Sequence, residues 1–259
     1  MLKPSEVASE YVGIAQGKVS MRWYKTLVLA VLAGAFIAFG GAASTFASAE
    51  MTGATARLVK GAVFPVGLML VVICGAELFT GNCLLLAPAL SREVKPTATL
   101  KNLGLAYFGN LVGSILIAVL VVFSHVMPEA VGIAAVNTAN AKCAMTFGDA
   151  LLRGILCNML VCLAVWAAMS SKSVPGKILA VYLPVFTFVA CGFEHSIANM
   201  YYLSAGLMES AITPFSGASL NLGNSLVYCL IPSTIGNIIG GAAIAAAMFA
   251  VHKFKKKDE

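Results

Sequence analysis

The chain is 259 residues long, 59% hydrophobic and 11% charged, with a mean hydropathy of +0.90 and a formal net charge of +6. A composition this apolar excludes a soluble globular domain and describes a polytopic membrane protein. The positive balance is a feature of membrane topology, because the basic residues gather at the edges of apolar runs.

Residues 1–25 come first and are polar, with Lys3, Glu6, Glu10, Lys18, Arg22 and Lys25. They have neither the short apolar core nor the small-residue cleavage site of a signal peptide. A cytoplasmic amphipathic arm is predicted, read first as a solvated surface helix and second as a cover for the cytoplasmic mouth of a pore. Runs without Asp, Glu, Lys or Arg follow at 26–49, 61–76, 102–124, 154–171, 178–193 and 210–251. About 20 apolar residues cross a bilayer, so these runs predict one transmembrane channel domain over 26–251. The tail, 252–259, reads "HKFKKKDE" and suits anionic lipid headgroups better than nucleic acid. With six spans and both ends on one side, 13 of the 17 Lys and Arg fall on that side. Arg57, Lys60, Lys142 and Arg153 make up the rest. The positive-inside rule then puts both termini in the cytoplasm, and the expected location is a prokaryotic inner membrane, spanned several times. The cysteines at 74, 83, 143, 157, 162, 191 and 229 form no C-x-x-C pair and read as small buried hydrophobes. No metal site, disulfide scaffold or cofactor is expected.

An internal repeat organises the spans. Lys60 is followed by 16 uncharged residues, Glu77, four more residues and Asn82, in "ELFTGN". Lys177 is followed by 16 uncharged residues, Glu194, four more residues and Asn199, in "EHSIAN". Gly-Asn-apolar-apolar-Gly then recurs, in "YFGNLVGS" at 107–114 and "TIGNIIGG" at 234–241, where the small residues allow close helix packing. Two three-span halves, about 26–124 and 146–251, must lie inverted because three is odd. Inverted repeats are typical of transport proteins, with the working site at mid-bilayer.

The second and fifth spans are too long to be single helices. Residues 61–91 would run about 46 Å as a helix, against a hydrocarbon core of roughly 30 Å. Breaks are predicted at Thr80-Gly81-Asn82 and at Ser196 to Asn199. Glu77 and Glu194 can tie the breaks by accepting hydrogen bonds from freed backbone N–H groups or from Asn82 and Asn199. A half-helix N-terminus at each break turns its positive end towards the pore, which suits an anion. His195 lies at the expected midplane, where an ionisable group is a functional candidate and a proton-handling one.

With "CGAELFTGN" at 74–82, "RGILCNMLVCLAVW" at 153–166 and "GFEHSIANM" at 192–200, the chain resembles the formate/nitrite transporter family over residues 1–255. The resemblance implies an all-α, aquaporin-like protomer of six transmembrane helices with one pore, assembled as a homo-pentamer in membrane lipid. It implies that "LFTGN" forms the loop interrupting the second span, and that the stretch around His195 interrupts the fifth. His195 matches the family's central histidine and Thr80 its pore-loop threonine. Phe64, Leu68, Leu78, Phe79 and Phe188 match its apolar constrictions, Asn158 an asparagine near the pore, and Lys142 a basic residue near the outer mouth that attracts anions. At Gly81-Asn82 formate-channel relatives usually carry Ser-Thr, a departure that resembles the hydrosulfide-channel branch. The expected function is a channel for a small monovalent anion of a weak acid, hydrosulfide first, with protonation near His195. A formate or nitrite channel or proton-coupled carrier is the alternative. A neutral-solute pore shares the fold but has no need of Lys142 or His195. An intramembrane enzyme needs a second His, a paired carboxylate or a Ser/Lys dyad beside His195, and the spans offer the two repeat-related glutamates instead.

Overall fold

An unbroken apolar run in lipid must satisfy its backbone within itself, and the helix does so. The computed structural model describes residues 1–253, and every regular element among them is helical. The basic tail beyond Lys253, residues 254–259, lies outside the described residues. In chain order the first half holds α1 (Pro4–Ser20), α2 (Trp23–Ser48), α3 (Gly53–Val63), α4 (Val66–Cys74), α5 (Phe79–Asn82), a 3-10 turn, α6 (Leu86–Leu90) and α7 (Pro96–Phe123). The second half holds α8 (Glu129–Cys143), α9 (Phe147–Ser170), α10 (Val174–Ala190), α11 (Ser196–Ile212), α12 (Leu222–Asn224) and α13 (Ile231–His252). Residues Ser225–Leu230 between α12 and α13 are π-helical.

Five stretches are long and apolar enough to cross a membrane: Trp23–Ser48, Gly53–Cys74, Pro96–Phe123, Phe147–Ser170 and Leu222–His252. Where the sequence predicts a fifth span, α10 is apolar but only 17 residues long. It reaches about 25 Å, short of a roughly 30 Å core, because the helix is interrupted before it is complete.

The close pairs are α2 with α7 and α9 with α13. Their contact surfaces are the two Gly-Asn-x-x-Gly motifs. A Cβ on Gly113 would collide with the carbonyl of Val31, and one on Gly240 with the carbonyl of Ile155. Without a hydrophobic force between helices in lipid, such backbone approach supplies the dispersion contact that holds them together.

The N-terminal arm differs from a solvated helix. Val7, Ala8, Tyr11, Val12 and Ala15 of α1 are buried, a single face at helical spacing. Tyr11 meets Phe249 of α13 edge-on at 6.1 Å, and Leu2 N–H donates to the Ser170 carbonyl at 2.8 Å. The arm is therefore docked on the end of the bundle, held by α7, α9 and α13.

Candidate functional site

Two interruptions in the helices build the site. Helix α4 stops at Gly75, whose φ of 71° lies in the left-handed region, and α10 is followed by Gly192 at φ 72°. Glycine adopts this conformation without the steric cost a Cβ brings. The residue after each glycine closes the helix end, Ala76 N–H on the Val71 carbonyl and Phe193 N–H on the Phe188 carbonyl, both at 2.9 Å. The turns thus lie a few residues upstream of the predicted Thr80–Asn82 and Ser196–Asn199. Those segments instead form the first turns of α5 and α11, because the glycines have already ended the preceding helices.

The backbone freed at each break is satisfied in parallel ways. Asn110 Nδ2 donates to the carbonyls of Ala30 at 2.7 Å and Glu77 at 3.0 Å, while its Oδ1 accepts from Phe79 N–H at 2.9 Å. Asn237 Nδ2 donates to Gly154 at 2.8 Å and Glu194 at 2.9 Å, and its Oδ1 accepts from Ser196 N–H at 2.9 Å. Glu77 N–H reaches the Leu29 carbonyl at 3.2 Å, and Glu194 N–H the Arg153 carbonyl at 3.3 Å. These asparagines clamp the breaks to the neighbouring spans. Sequence reasoning passed over them as parts of small-residue motifs, although their recurrence in both motifs was the signal.

The glutamate side chains are equally matched. Glu77 accepts from Lys18 Nζ at 2.5 Å, Asn82 Nδ2 at 2.7 Å and Asn102 Nδ2 at 3.3 Å. Glu194 accepts from Lys142 Nζ at 2.7 Å and Asn199 Nδ2 at 2.8 Å. A carboxylate this buried needs such donors and a counter-charge. Lys18, on α1, was not singled out from sequence. It precedes Leu29 by the same interval that separates Lys142 from Arg153, a regularity that continues the repeat into α1 and α8.

His195 occupies the N-cap of α11, where Nδ1 accepts from Ala198 N–H at 3.1 Å. An Nδ1 used as acceptor leaves the proton of the neutral ring on Nε2. Nε2 is 2.9 Å from Thr80 Oγ1, so the imidazole donates and the threonine hydroxyl is free to donate onward. A second proton on Nδ1 would face the Ala198 N–H and the positive end of α11, which opposes an imidazolium. The ring stacks on Phe188 with centroids 5.9 Å apart, and Phe188 meets Phe64 edge-on at 5.9 Å.

Two vestibules approach this cluster from opposite ends. One, of about 300 Å³, is lined by Tyr11, Lys18, Leu68, Glu77, Leu78, Asn82 and Lys177. The other, of about 210 Å³, is lined by Lys60, Phe64, Lys142, Phe188, Glu194, His195 and Asn199, and a wider cavity of about 530 Å³ lies along Lys60, Lys142 and Arg153 beyond it. Leu68 and Leu78 therefore stand at one vestibule, Phe64 and Phe188 at the other, with Thr80, 0% exposed, between them. Phe79 and Asn158 line neither cavity. Phe79 packs edge-on against Tyr107 at 4.9 Å, and Asn158 Nδ2 donates to the Thr80 carbonyl at 3.2 Å and the Asn237 carbonyl at 2.6 Å. Asn158 thus holds the threonine backbone in place. Among the described residues no cluster of His, Cys, Asp and Glu could hold a metal ion.

A family model described as "Formate/nitrite transporter" matches residues 5–251. A "Probable formate transporter" of Methanothermobacter thermautotrophicus is 36% identical over 95% of this chain and 95% of its own. The "Formate channel FocA" of Escherichia coli K12 is 36% identical over 100% of this chain and 94% of its own. Among solved structures, a "Pentameric formate channel with formate bound" superposes with a TM-score of 0.81 at 34% identity, covering 88% of this chain and 96% of that one. An "FNT family ion channel" gives a TM-score of 0.86 at 25% identity over 95% of this chain and 98% of that one.

Proposed function

The chain belongs to the formate/nitrite transporter family, and from that premise we propose that it is a channel for small monovalent anions of weak acids, formate first, which cross its central plug as the neutral acid. One observation carries the reading: two vestibules bearing lysines end on a buried apolar plug whose polar groups meet in the Thr80–His195 hydrogen bond. A naked anion pays heavily for leaving water, by tens of kcal/mol for an idealised unpaired ion in a medium of ε about 4. A neutral acid pays only for its unmatched hydrogen bonds, and Thr80 supplies a donor.

The steps balance without a cofactor. The anion enters either vestibule, takes a proton from water there, and becomes the uncharged acid. It slips between Leu68 and Leu78 on one side and Phe64 and Phe188 on the other, its oxygen accepting from the Thr80 hydroxyl while His195 Nε2–H holds that hydroxyl in place. On the far side it returns the proton to water. His195 acts as a fixed donor and carries no proton across.

The protomer is read as six spans in two inverted halves, 26–124 and 146–251, with α10 and α11 forming the interrupted fifth. It is a multi-pass protein of a bacterial-type inner membrane, with both termini cytoplasmic and α1 over the cytoplasmic mouth. The assembly is a homo-pentamer, a reading supported by the likeness to the pentameric formate channel. Hydrosulfide is the second reading. It is favoured by Gly81-Asn82, both of which line the vestibule beside Leu78, where the anion meets the plug.

Uptake into proteoliposomes tests this, with formate, nitrite, sulfide and glycerol compared between pH 5 and pH 8. Formate uptake that steepens as pH falls, with little glycerol passing, supports the reading. Sulfide outpacing formate at equal fraction of neutral acid favours the second reading. Glycerol flux without anion flux overturns both and leaves a neutral-solute pore.

A further inference from the structure

Each vestibule contains one lysine already matched by a carboxylate. Lys18 pairs with Glu77 at 2.5 Å and Lys142 with Glu194 at 2.7 Å. Seen from several ångströms away such a pair is a dipole and adds little net charge, so the field that gathers anions must come from other groups. In the Lys18 vestibule the remaining charged residue of the lining is Lys177. On the other side Lys60 lines both the small vestibule over the plug and the wider cavity outside it. Among the described residues neither ammonium has an ion-pair partner. Both side chains are half-buried, which limits screening by salt, whereas Arg57 at the rim of the small vestibule and Arg153 beside the outer cavity are exposed.

The two lysines also occupy one place in the repeat, each 17 positions before its break glutamate. Lys60 lies in the last turn of α3, ahead of α4, and Lys177 in the first turn of α10, so each lies towards the mouth from which its own span begins. The same sequence position therefore provides an unmatched cation to each of the two mouths.

We infer that Lys60 and Lys177 form a pair of anion-recruiting sites, one per vestibule, which hold a small monovalent anion above the plug while Lys18 and Lys142 serve to neutralise the break glutamates. The inference rests on the anion-channel reading and adds to it the groups that set apparent affinity at each face. An anion so held stands next to the plug, and its local concentration rises before protonation. The effect falls with ionic strength, as attraction to a partly exposed charge must.

The test measures initial formate transport in right-side-out and inverted membrane vesicles, across formate concentration and at two salt concentrations. Lys60→Gln is expected to raise the half-saturating concentration about threefold or more from one face, and Lys177→Gln from the opposite face. In each case the maximal rate changes less than the half-saturating concentration, and the salt dependence at the affected face flattens. Lys60→Arg and Lys177→Arg restore the original values, which separates charge from packing. Unchanged half-saturation in both glutamine variants, or equal loss at both faces that arginine does not rescue, overturns the inference while leaving the channel reading intact. Absence of formate, nitrite and sulfide flux in the unaltered protein overturns the channel reading, and the inference falls with it.

Discussion

Thr80 and His195 meet through a single hydrogen bond of 2.9 Å, and the other histidine nitrogen is committed to the Ala198 N–H. Thr80→Val keeps the side-chain shape and removes the hydroxyl. Formate flux at pH 6 is expected to fall by about tenfold or more, equivalent to at least ~1.4 kcal/mol at the barrier, while Thr80→Ser stays within a few-fold of the original. The pH profile distinguishes a fixed donor from a titrating one. A histidine that carried protons would impose one transition of its own, at the same pH for every substrate. A fixed donor leaves the profile to the substrate: flux rises as pH falls because the neutral acid becomes more abundant, and the profile shifts when formate is replaced by sulfide. Stopped-flow uptake of both anions across pH checks this. The glutamates make a stability prediction. Glu194→Gln leaves Lys142 charged without its partner, an expected loss of about 3–5 kcal/mol, seen as a lower melting temperature in detergent. The double variant Glu194→Gln, Lys142→Met recovers most of it, since the unmatched charge is gone.

Helices α2 and α7, and α9 and α13, approach so closely that only glycine fits at Gly113 and Gly240. Gly113→Ala and Gly240→Ala are each expected to lower stability by about 1–3 kcal/mol through backbone displacement, measurable by heating the detergent-solubilised protein and following its unfolding. The effect should reach transport too, because Asn110 and Asn237 in the same motifs hold the two breaks. At this scale the sequence was informative about the existence of the breaks and less so about their location. Excess length in 61–91 required an interruption, and the paired glutamate spacing showed that it occurs twice. Gly75 and Gly192 were obscured because Thr80-Gly81-Asn82 carries stronger turn chemistry, whereas in the structure Thr80 bonds His195 and Asn82 bonds Glu77. The docking of α1 was half legible. Its apolar face at Val7, Ala8, Tyr11, Val12 and Ala15 announced amphipathicity, but the partner surface comes from α7, α9 and α13, far along the chain. Lys18 escaped for the same reason, since an ion pair spanning 59 positions leaves no local pattern.

Taken as a whole, the molecule places one lysine–glutamate pair, one clamping asparagine and one left-handed glycine at each of its two breaks. It departs from that symmetry at the centre, where Leu78 of the first half corresponds to His195 of the second. The polar link to Thr80 thus exists on one side alone, and the plug stays otherwise apolar. The family could be read from three quoted motifs, whereas the donor direction at His195 required coordinates, because it depends on which nitrogen caps α11. In the function proposed here the permeant crosses without net charge. Formate transport into proteoliposomes, measured together with internal pH while the membrane potential is stepped with valinomycin and potassium, tests it most directly. One proton entering with each formate, at a rate indifferent to the potential, is the expected result. Formate flux that follows the potential with no accompanying proton would contradict the account.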